Sequence, residues 1–143
     1  MFLYRLHRRQ RAAADHAGTL FIGQRWNAAG VGMLYCASSL SLAVLEVLVH
    51  TDKTNIPDNY VWSMASAGPF RPLSVNADHI QDLSYTRSIG RQWVRDGIDA
   101  GVLVPSVIVP AEMNVLLNPA HKDYSAIEWK DPVPFAFDPR LFG

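Results

Sequence analysis

The stretch LYCASSLSLAVLEVLVH at residues 34–50 decides the fold, because within it a strand pattern changes to a helix pattern. Its first residues are apolar and aromatic and predict the end of a β-strand. Ser38 or Ser39 is suited to cap a helix that runs to about His50. That helix is apolar on nearly every side, which predicts that it is buried. The single carboxylate within it, Glu46, therefore needs an explanation.

Burial of the predicted helix would carry Glu46 into the interior or into the wall of a cleft. A buried carboxylate is costly unless it is paired and hydrogen-bonded. Two interpretations follow: a structural carboxylate neutralised by an arginine or by backbone amides, or a carboxylate at the bottom of a substrate pocket. Arg25, which is flanked by Phe21, Ile22 and Trp26, is the obvious local partner.

The rest of the chain predicts a mixture of strands and short helices. Strands are predicted at 1–6, 60–66, 102–110 and 114–119, with an extended tail at 132–142. Thr86 is suited to cap a short helix that ends at Gly97, and Pro105 indicates an edge strand or a bulge. No regular βαβ repeat occurs, so the predicted fold class is α+β in one domain.

Composition excludes several classes of function. The 143 residues carry a formal net charge of zero, which argues against nucleic-acid binding as the main role. Cys36 is the only cysteine and no zinc-type Cys/His spacing occurs, so neither an internal disulfide nor a metal site is predicted. No apolar segment is long enough for a signal peptide or a membrane span, and we expect a cytoplasmic protein.

Three other polar residues lie in apolar surroundings: Tyr35, Ser106 and Asn118. Each alone has a structural explanation, as a core ring, a strand hydroxyl or a turn before proline. Ser106 lacks a GxSxG context and is a poor candidate for a hydrolase nucleophile. No glycine-rich phosphate loop is present.

Four segments, taken in order, resemble the RES domain family, the toxins of bacterial RES–Xre toxin–antitoxin pairs. They are RWNAAGVGMLYCASSLSLAVLEVLVH at 25–50, IGRQWVRDG at 89–97, VPSVIVPAEMNVLLNPAH at 104–121 and PFAFDPRLF at 134–142. The resemblance extends from about residue 3 to the last residues, so a single RES domain at 1–143 is expected. GQRWN at 23–27 is one departure, because the family more often has GGRWN there.

The resemblance implies a fold related to ADP-ribosyltransferases, an α+β domain with a split β-sheet around an NAD+ cleft. It implies that NAD+ is a consumed substrate, with no permanently bound cofactor and no metal. The residues that fall on the family's catalytic set are Arg25, Tyr35 and Glu46. The implied substrate-binding residues are Ser106, Asn118, Arg5 and Asn27, of which Ser106 and Asn118 would hydrogen-bond the nicotinamide amide or the ribose, or would shape the pocket.

Breaking the nicotinamide–ribose bond builds positive charge on the ribose, and the implied roles follow from this. Glu46 would stabilise that charge, and Tyr35 would stack on the nicotinamide. Arg25 would hold the pyrophosphate, and would pair with Glu46 when the site is empty. The acceptor is water, phosphate or a protein side chain, so hydrolysis, phosphorolysis and protein ADP-ribosylation are all open. A non-catalytic binding module is a third alternative.

The resemblance also implies a partner, because a toxin that consumes NAD+ has to be inhibited in its own cell. That partner would be a separate Xre-like antitoxin chain that covers the active site in a hetero-oligomeric complex. From charge, we expect a carboxylate of the antitoxin tail to reach Arg25. Neither direct nucleic-acid binding by this chain nor a membrane partner is expected.

Overall fold

A computed structural model describes all 143 residues, and a six-stranded antiparallel sheet is at its centre. The strands are β1 (Phe2–Arg8), β2 (Leu34–Ala37), β3 (Tyr60–Ser66), β4 (Gly101–Pro105), β5 (Met113–Leu117) and β6 (Val133–Phe135). Their order across the sheet is β4-β5-β2-β1-β3-β6. The helices are α1 (Ala17–Phe21), α2 (Leu40–Leu48) and α3 (Leu83–Asp96), and short 3-10 turns lie at Ala77–His79, Tyr124–Ala126 and Pro139–Phe142. The predicted α+β class is confirmed.

The sheet is split at its middle, between β1 and β2. β1 pairs with β3 along its whole length, from Phe2 opposite Ser66 to Arg8 opposite Tyr60. Against β2, by contrast, it pairs only where Tyr4 lies opposite Ala37. The two strands diverge beyond that pair, and a gap opens between the halves of the sheet.

Helix α2 begins as the sequence predicts and packs over this gap. Ser39 is its N-cap, and its Oγ accepts a hydrogen bond from the backbone N–H of Leu42 at 3.1 Å. Leu42 and Ala43 are buried against the sheet. The prediction that the helix is buried on all sides is wrong, because Leu45 is 37% exposed and Val49, just after the helix, is 59% exposed. Only one face of α2 contributes to the core.

Helix α3 starts one turn earlier than the sequence suggests. Asp82 is the N-cap, and its side chain accepts hydrogen bonds from the backbone N–H groups of Ser84 and Tyr85. Thr86, the predicted cap, is a fully buried residue inside the helix. Gly97 ends the helix in the left-handed conformation, with φ 58°, as predicted.

The hydrophobic core occupies both faces of the sheet. One cluster packs under α3 and contains Trp26, Met33, Trp93, Val102, Val104 and Leu116. A second contains Leu3, Leu34, Cys36, Val115 and Leu117, and its residues alternate with those of the first along β5. No helix has the length and apolar character that crossing a membrane requires.

The predicted strand at 102–110 is shorter than expected. β4 ends at Pro105, and the chain then turns, with Ser106 N–H donating to the carbonyl of Glu112 at 2.9 Å. β4 is an edge strand, as the proline indicated. The turn carries Ser106 out of the strand and, as described below, toward α2.

Candidate active site

Two adjoining cavities lie at the split in the sheet, and together we call them the cleft. The inner cavity, of about 250 Å³, is lined by Tyr4, Arg5 and Leu6 of β1 and by Tyr35, Cys36 and Ala37 of β2, among others. The outer cavity, of about 360 Å³, includes Arg25, Val49, Leu83, Arg87 and Ile108 in its lining. The residues that line both cavities are Gln24, Tyr35, Glu46, His50 and Asn114. Glu46 and Tyr35 thus lie where the two spaces meet.

Both protein hydrogen bonds to Glu46 reach the same carboxylate oxygen. Its Oε1 accepts from Ser106 Oγ at 2.7 Å and from Asn114 Nδ2 at 2.8 Å. Its Oε2 accepts no hydrogen bond from the protein and is not a buried atom. One oxygen is therefore fixed, and the other is available in the cleft.

Two neutral donors thus replace the arginine that the sequence suggested as the partner of Glu46. The predicted Arg25–Glu46 pair is wrong, since none of the ion pairs in the structure involves either residue. Glu46 is half-buried rather than enclosed, so water in the cleft offsets part of the cost of its charge. No cationic side chain of the protein pairs with the carboxylate.

Asn114 is a site residue that sequence reasoning missed. It lines both cavities from β5, and its Oδ1 is the one buried side-chain polar atom without a hydrogen-bond partner. Asn114 is 68 residues away from Glu46 in the sequence, so no local sequence pattern predicts that the two side chains are in contact. The only signal in the sequence is a polar side chain at the start of the apolar strand that continues with Val115.

The hydroxyl of Tyr35 is fixed by the loop that precedes β2. It donates to Asn27 Oδ1 at 2.6 Å and accepts from the backbone N–H of Trp26 at 3.0 Å. Burial raises the pKa of the Tyr35 phenol well above its ordinary value, so the group stays protonated. The ring lines both cavities, so its position in the cleft is set while its surface is accessible.

Asn27 supports the site and does not bind a ligand. Its side chain is fully buried, and its Nδ2 donates to the carbonyls of Thr19 and Val31, both at 2.9 Å. Its Oδ1 accepts the Tyr35 hydroxyl described above. The amide has no accessible atom for a substrate, so the structure contradicts the prediction that Asn27 binds one.

Ser106 and Asn118 are also buried away from the cleft surface, each only 1% exposed. Ser106 acts on Glu46, and its Oγ also accepts from the backbone N–H of Val109 at 3.0 Å. Asn118 joins the end of β5 to α3 by donating to the carbonyl of Val94 at 3.3 Å. Ser106 therefore fits the pocket-shaping role that the resemblance allowed rather than direct substrate contact, and Asn118 does not touch the cleft.

Arg25 lies in the outer cavity, at the start of the segment that carries Trp26 and Asn27. It is half-buried, and its Nη1 donates to the carbonyl of Ile80 at 3.2 Å. Its remaining donors have no protein partner. Helix α3 supports the segment from behind, because Thr86 Oγ1 donates to the carbonyl of Arg25 at 2.5 Å.

The close packing of α3 against the segment that carries Arg25 depends on Gly90. A Cβ added at Gly90 of α3 would lie 1.8 Å from the carbonyl oxygen of Trp26, so only glycine allows the helix to approach the segment so closely. One turn earlier on α3, Arg87 Nε donates to the carbonyl of Gln24 at 2.9 Å. Three residues of one helix therefore set the backbone position of Arg25.

Arg5 reaches the inner cavity from β1. Its Nη1 donates to the carbonyl of Ala13 at 2.6 Å, and it has no carboxylate partner. Burial lowers its pKa, although an arginine remains charged at neutral pH. An unpaired guanidinium in the inner cavity is suited to an anionic or hydroxyl-rich ligand.

Comparison with known families supports the resemblance on which these expectations rest. The RES domain family model matches residues 2–138. This chain belongs to the RES domain family. The match runs from the first residue of β1 to Asp138, just before the last 3-10 turn, and it includes every residue that lines the cleft.

Relatives of this RES domain that align over most of their own length are named as toxins. A "Toxin Res" from Yersinia enterocolitica is 36% identical over 151 residues, which cover 99% of each chain. A "Prs ADP-ribosylating toxin" from a Sphingobium species is 37% identical over 137 residues, covering 87% of this chain and 84% of the relative. The family is therefore one of toxins.

A solved structure shares the fold of this RES domain. One chain of the crystal structure of the M. tuberculosis MbcT–MbcA toxin–antitoxin complex aligns with a TM-score of 0.75. The alignment covers 99% of this chain and 86% of that chain, at 15% identity. The overall α+β fold is thus found in a solved protein as well.

Proposed function

We propose that this protein is the toxin of a toxin–antitoxin pair and that it cleaves the bond between nicotinamide and ribose in NAD+. The observation that carries the proposal is the carboxylate of Glu46, with one oxygen held by Ser106 and Asn114 and the other available in the cleft that Tyr35 also lines. A fixed negative charge is what a ribose that develops positive charge requires.

The chemistry follows from the charges that the reaction creates. As the nicotinamide leaves, the ribose gains oxocarbenium character, and Oε2 of Glu46 stabilises it by accepting a ribose hydroxyl hydrogen bond. The two donors on Oε1 hold the carboxylate in place before the reaction, so little reorganisation is needed. The half-buried wall of the cleft strengthens the interaction by lowering the local dielectric.

Tyr35 and Arg25 position the two ends of the substrate. The Tyr35 ring provides a flat apolar surface for nicotinamide, and its hydroxyl is already occupied, so the ring does not rotate away. Arg25 retains unpaired guanidinium donors, which suit the pyrophosphate. Together they would align the scissile bond with Glu46.

The direct test is incubation of the purified protein with NAD+, followed by product identification with and without inorganic phosphate. Free nicotinamide with ADP-ribose indicates hydrolysis, and nicotinamide with a phosphorylated ADP-ribose indicates phosphorolysis. Absence of nicotinamide release at any protein concentration, with NAD+ intact, would contradict the proposal and favour a binding module.

A second candidate is ADP-ribosyl transfer to a protein. The Sphingobium relative, 37% identical to this chain, is named as an ADP-ribosylating toxin, and that observation favours transfer. NAD+ labelled in the adenine ring separates the two reactions in a cell lysate. Label in acid-precipitated protein supports transfer, whereas label only in small molecules supports hydrolysis or phosphorolysis.

The partner would be an Xre-like antitoxin that covers the cleft. The likeness in fold to a chain of a toxin–antitoxin complex is consistent with such a partner. Unpaired guanidinium groups at Arg25 and Arg5 would attract a carboxylate of the antitoxin tail. An antitoxin whose tail has been deleted should bind but no longer inhibit, and full inhibition by that truncated protein would refute this arrangement.

A further inference from the structure

Arg87 is a second arginine of the outer cavity that no resemblance singles out. It is half-buried on the first half of α3, and it lines the outer cavity together with Arg25 and Glu46. Its Nε donates to the carbonyl of Gln24 at 2.9 Å, and no carboxylate pairs with it. Most of its guanidinium donors are thus available.

The two arginines of the outer cavity are held in the same way. Each gives one N–H to a backbone carbonyl, Arg25 to Ile80 and Arg87 to Gln24, and neither has an acidic partner. A backbone anchor fixes the position of the planar group without neutralising its charge. Two charged forks in one cavity, neither of them paired with a carboxylate of the protein, indicate that the cavity binds a doubly anionic ligand.

Gly23, in the loop before Arg25, leaves room for the guanidinium of Arg87. A Cβ added at Gly23 would lie 3.0 Å from Arg87 Nη2 and 3.1 Å from its Cζ. The guanidinium therefore lies directly against the backbone of the loop that leads to Arg25. The positive charges of Arg87 and Arg25 both act on the Tyr35 phenol, opposing the larger effect of burial on its pKa.

We propose that Arg87 binds a substrate phosphate together with Arg25, so that the outer cavity selects ligands that carry a diphosphate. This inference rests on the proposed function, because Glu46 in the same cavity locates the ribose. The diphosphate of a dinucleotide lies a few bonds from that ribose. Each arginine then binds one phosphate, and ligands without phosphates bind weakly.

Calorimetry tests this directly with ADP and adenosine as probes, and the unaltered protein consumes neither of them because neither carries a nicotinamide–ribose bond. Arg87→Gln is the informative variant, because its amide nitrogen is as many bonds from the backbone as Nε and can keep the contact with Gln24. We expect the affinity for ADP to fall about 10- to 100-fold and that for adenosine to stay unchanged.

Arg91→Ala is the matched control, since Arg91 lies one turn later on the same helix and lines a separate cavity with His16 and Gly30. The affinity of the Arg91→Ala protein for ADP should equal that of the protein without this substitution. Unchanged ADP affinity in Arg87→Gln, or an equal loss in Arg91→Ala, would overturn the proposal.

Kinetics separate this proposal from the proposed function. In the protein with Glu46 intact, Arg87→Gln should raise the KM for NAD+ about 10-fold with little change in kcat. A lowered kcat with unchanged KM would also count against phosphate binding. If the unaltered protein releases no nicotinamide, the proposed function fails, whereas the ADP measurement still decides the role of Arg87.

Discussion

On one wall of the cleft, Glu46 receives two side-chain hydrogen bonds at a single oxygen, whereas on the other Arg25 and Arg87 each make one bond to a backbone carbonyl. We call the side of the cleft formed by Glu46, Ser106 and Asn114 the carboxylate wall, and the side formed by Arg25 and Arg87 the arginine wall. On the carboxylate wall the geometry of the charged group is fixed by other side chains. On the arginine wall most donors are free.

The difference follows from what each wall has to do in the proposed reaction. A group that stabilises a short-lived charge is effective only if it is already in place, because reorganisation during the reaction adds to the barrier. A group that binds phosphates needs free donors, since every donor used by the protein is one fewer for the ligand. The predictions below test this division.

Replacing the charge of Glu46 should have the largest effect. Glu46→Gln is nearly isosteric, and its amide oxygen can still accept from Ser106 and Asn114, so the fold should be retained. We expect kcat for nicotinamide release to fall by about 10²- to 10³-fold, because the stabilising charge is lost. Chromatographic measurement of nicotinamide checks this, with circular dichroism as the control for folding. Unchanged kcat would remove Glu46 from the mechanism.

Loosening the carboxylate wall should have the next largest effect. Asn114→Leu removes one of the two donors to Glu46 and should lower kcat about 10-fold or more, with KM little changed. Stability should change little, because loss of a hydrogen bond to a charged group, about 1.5–3 kcal/mol, is offset by removing the buried Oδ1 that has no partner, about 1–3 kcal/mol. Kinetics combined with urea denaturation measure both quantities.

Ser106→Ala is the comparison variant for Asn114→Leu. It also removes a donor to Glu46, but in addition it leaves the backbone N–H of Val109 without its acceptor. Its free energy of unfolding should therefore fall by about 1–3 kcal/mol, more than for Asn114→Leu. If both variants lowered stability equally while kcat stayed unchanged, Asn114 would be only a structural residue.

A change on the arginine wall should affect binding rather than the chemical step. Arg25→Lys keeps the charge but loses the planar fork, so we expect KM for NAD+ to rise about 10-fold with a smaller change in kcat. Steady-state kinetics over a range of NAD+ concentrations give both values. A loss confined to kcat would mean that Arg25 acts in the chemical step rather than in substrate binding. The proposed difference in role between the two walls would then be wrong.

The sequence predicted the elements that bear the site better than the contacts within it. Strand β3 and the Ser39 cap of α2 are local patterns, and both are confirmed. The partners of Glu46 are 60 and 68 residues away, and no periodicity reports such contacts. The apolar pattern on every face overestimated the burial of α2, because apolar residues such as Leu45 also remain on the surface.

The polar residues taken as substrate ligands show the same limit. Asn27 and Asn118 are buried polar groups that satisfy backbone carbonyls, and a sequence pattern does not distinguish such a group from one that faces a cleft. Arg87 was missed because an arginine on an amphipathic helix is usually a solvated surface residue. Only the fold places it beside Arg25.

The smallest predicted effect concerns β2, whose Tyr35 and Cys36 line the inner cavity together with Arg5. Burial raises the pKa of the Cys36 thiol from 9.0 to about 12. Above pH 9 the unfolded thiol therefore loses its proton while the folded one keeps it, so a rise in pH favours unfolding. Stability should fall by about 1.4 kcal/mol between pH 8 and pH 10 from this group alone.

Urea denaturation at pH 8, 9 and 10 measures this loss, and Cys36→Ala is its control. The variant is expected to be less stable at every pH, but its stability should decline less steeply above pH 9, because it has no thiol to ionise. Equal slopes for the two proteins would mean that the thiol is accessible to water in the native state. Cys36 would then belong to the wetted surface of the inner cavity rather than to its buried wall.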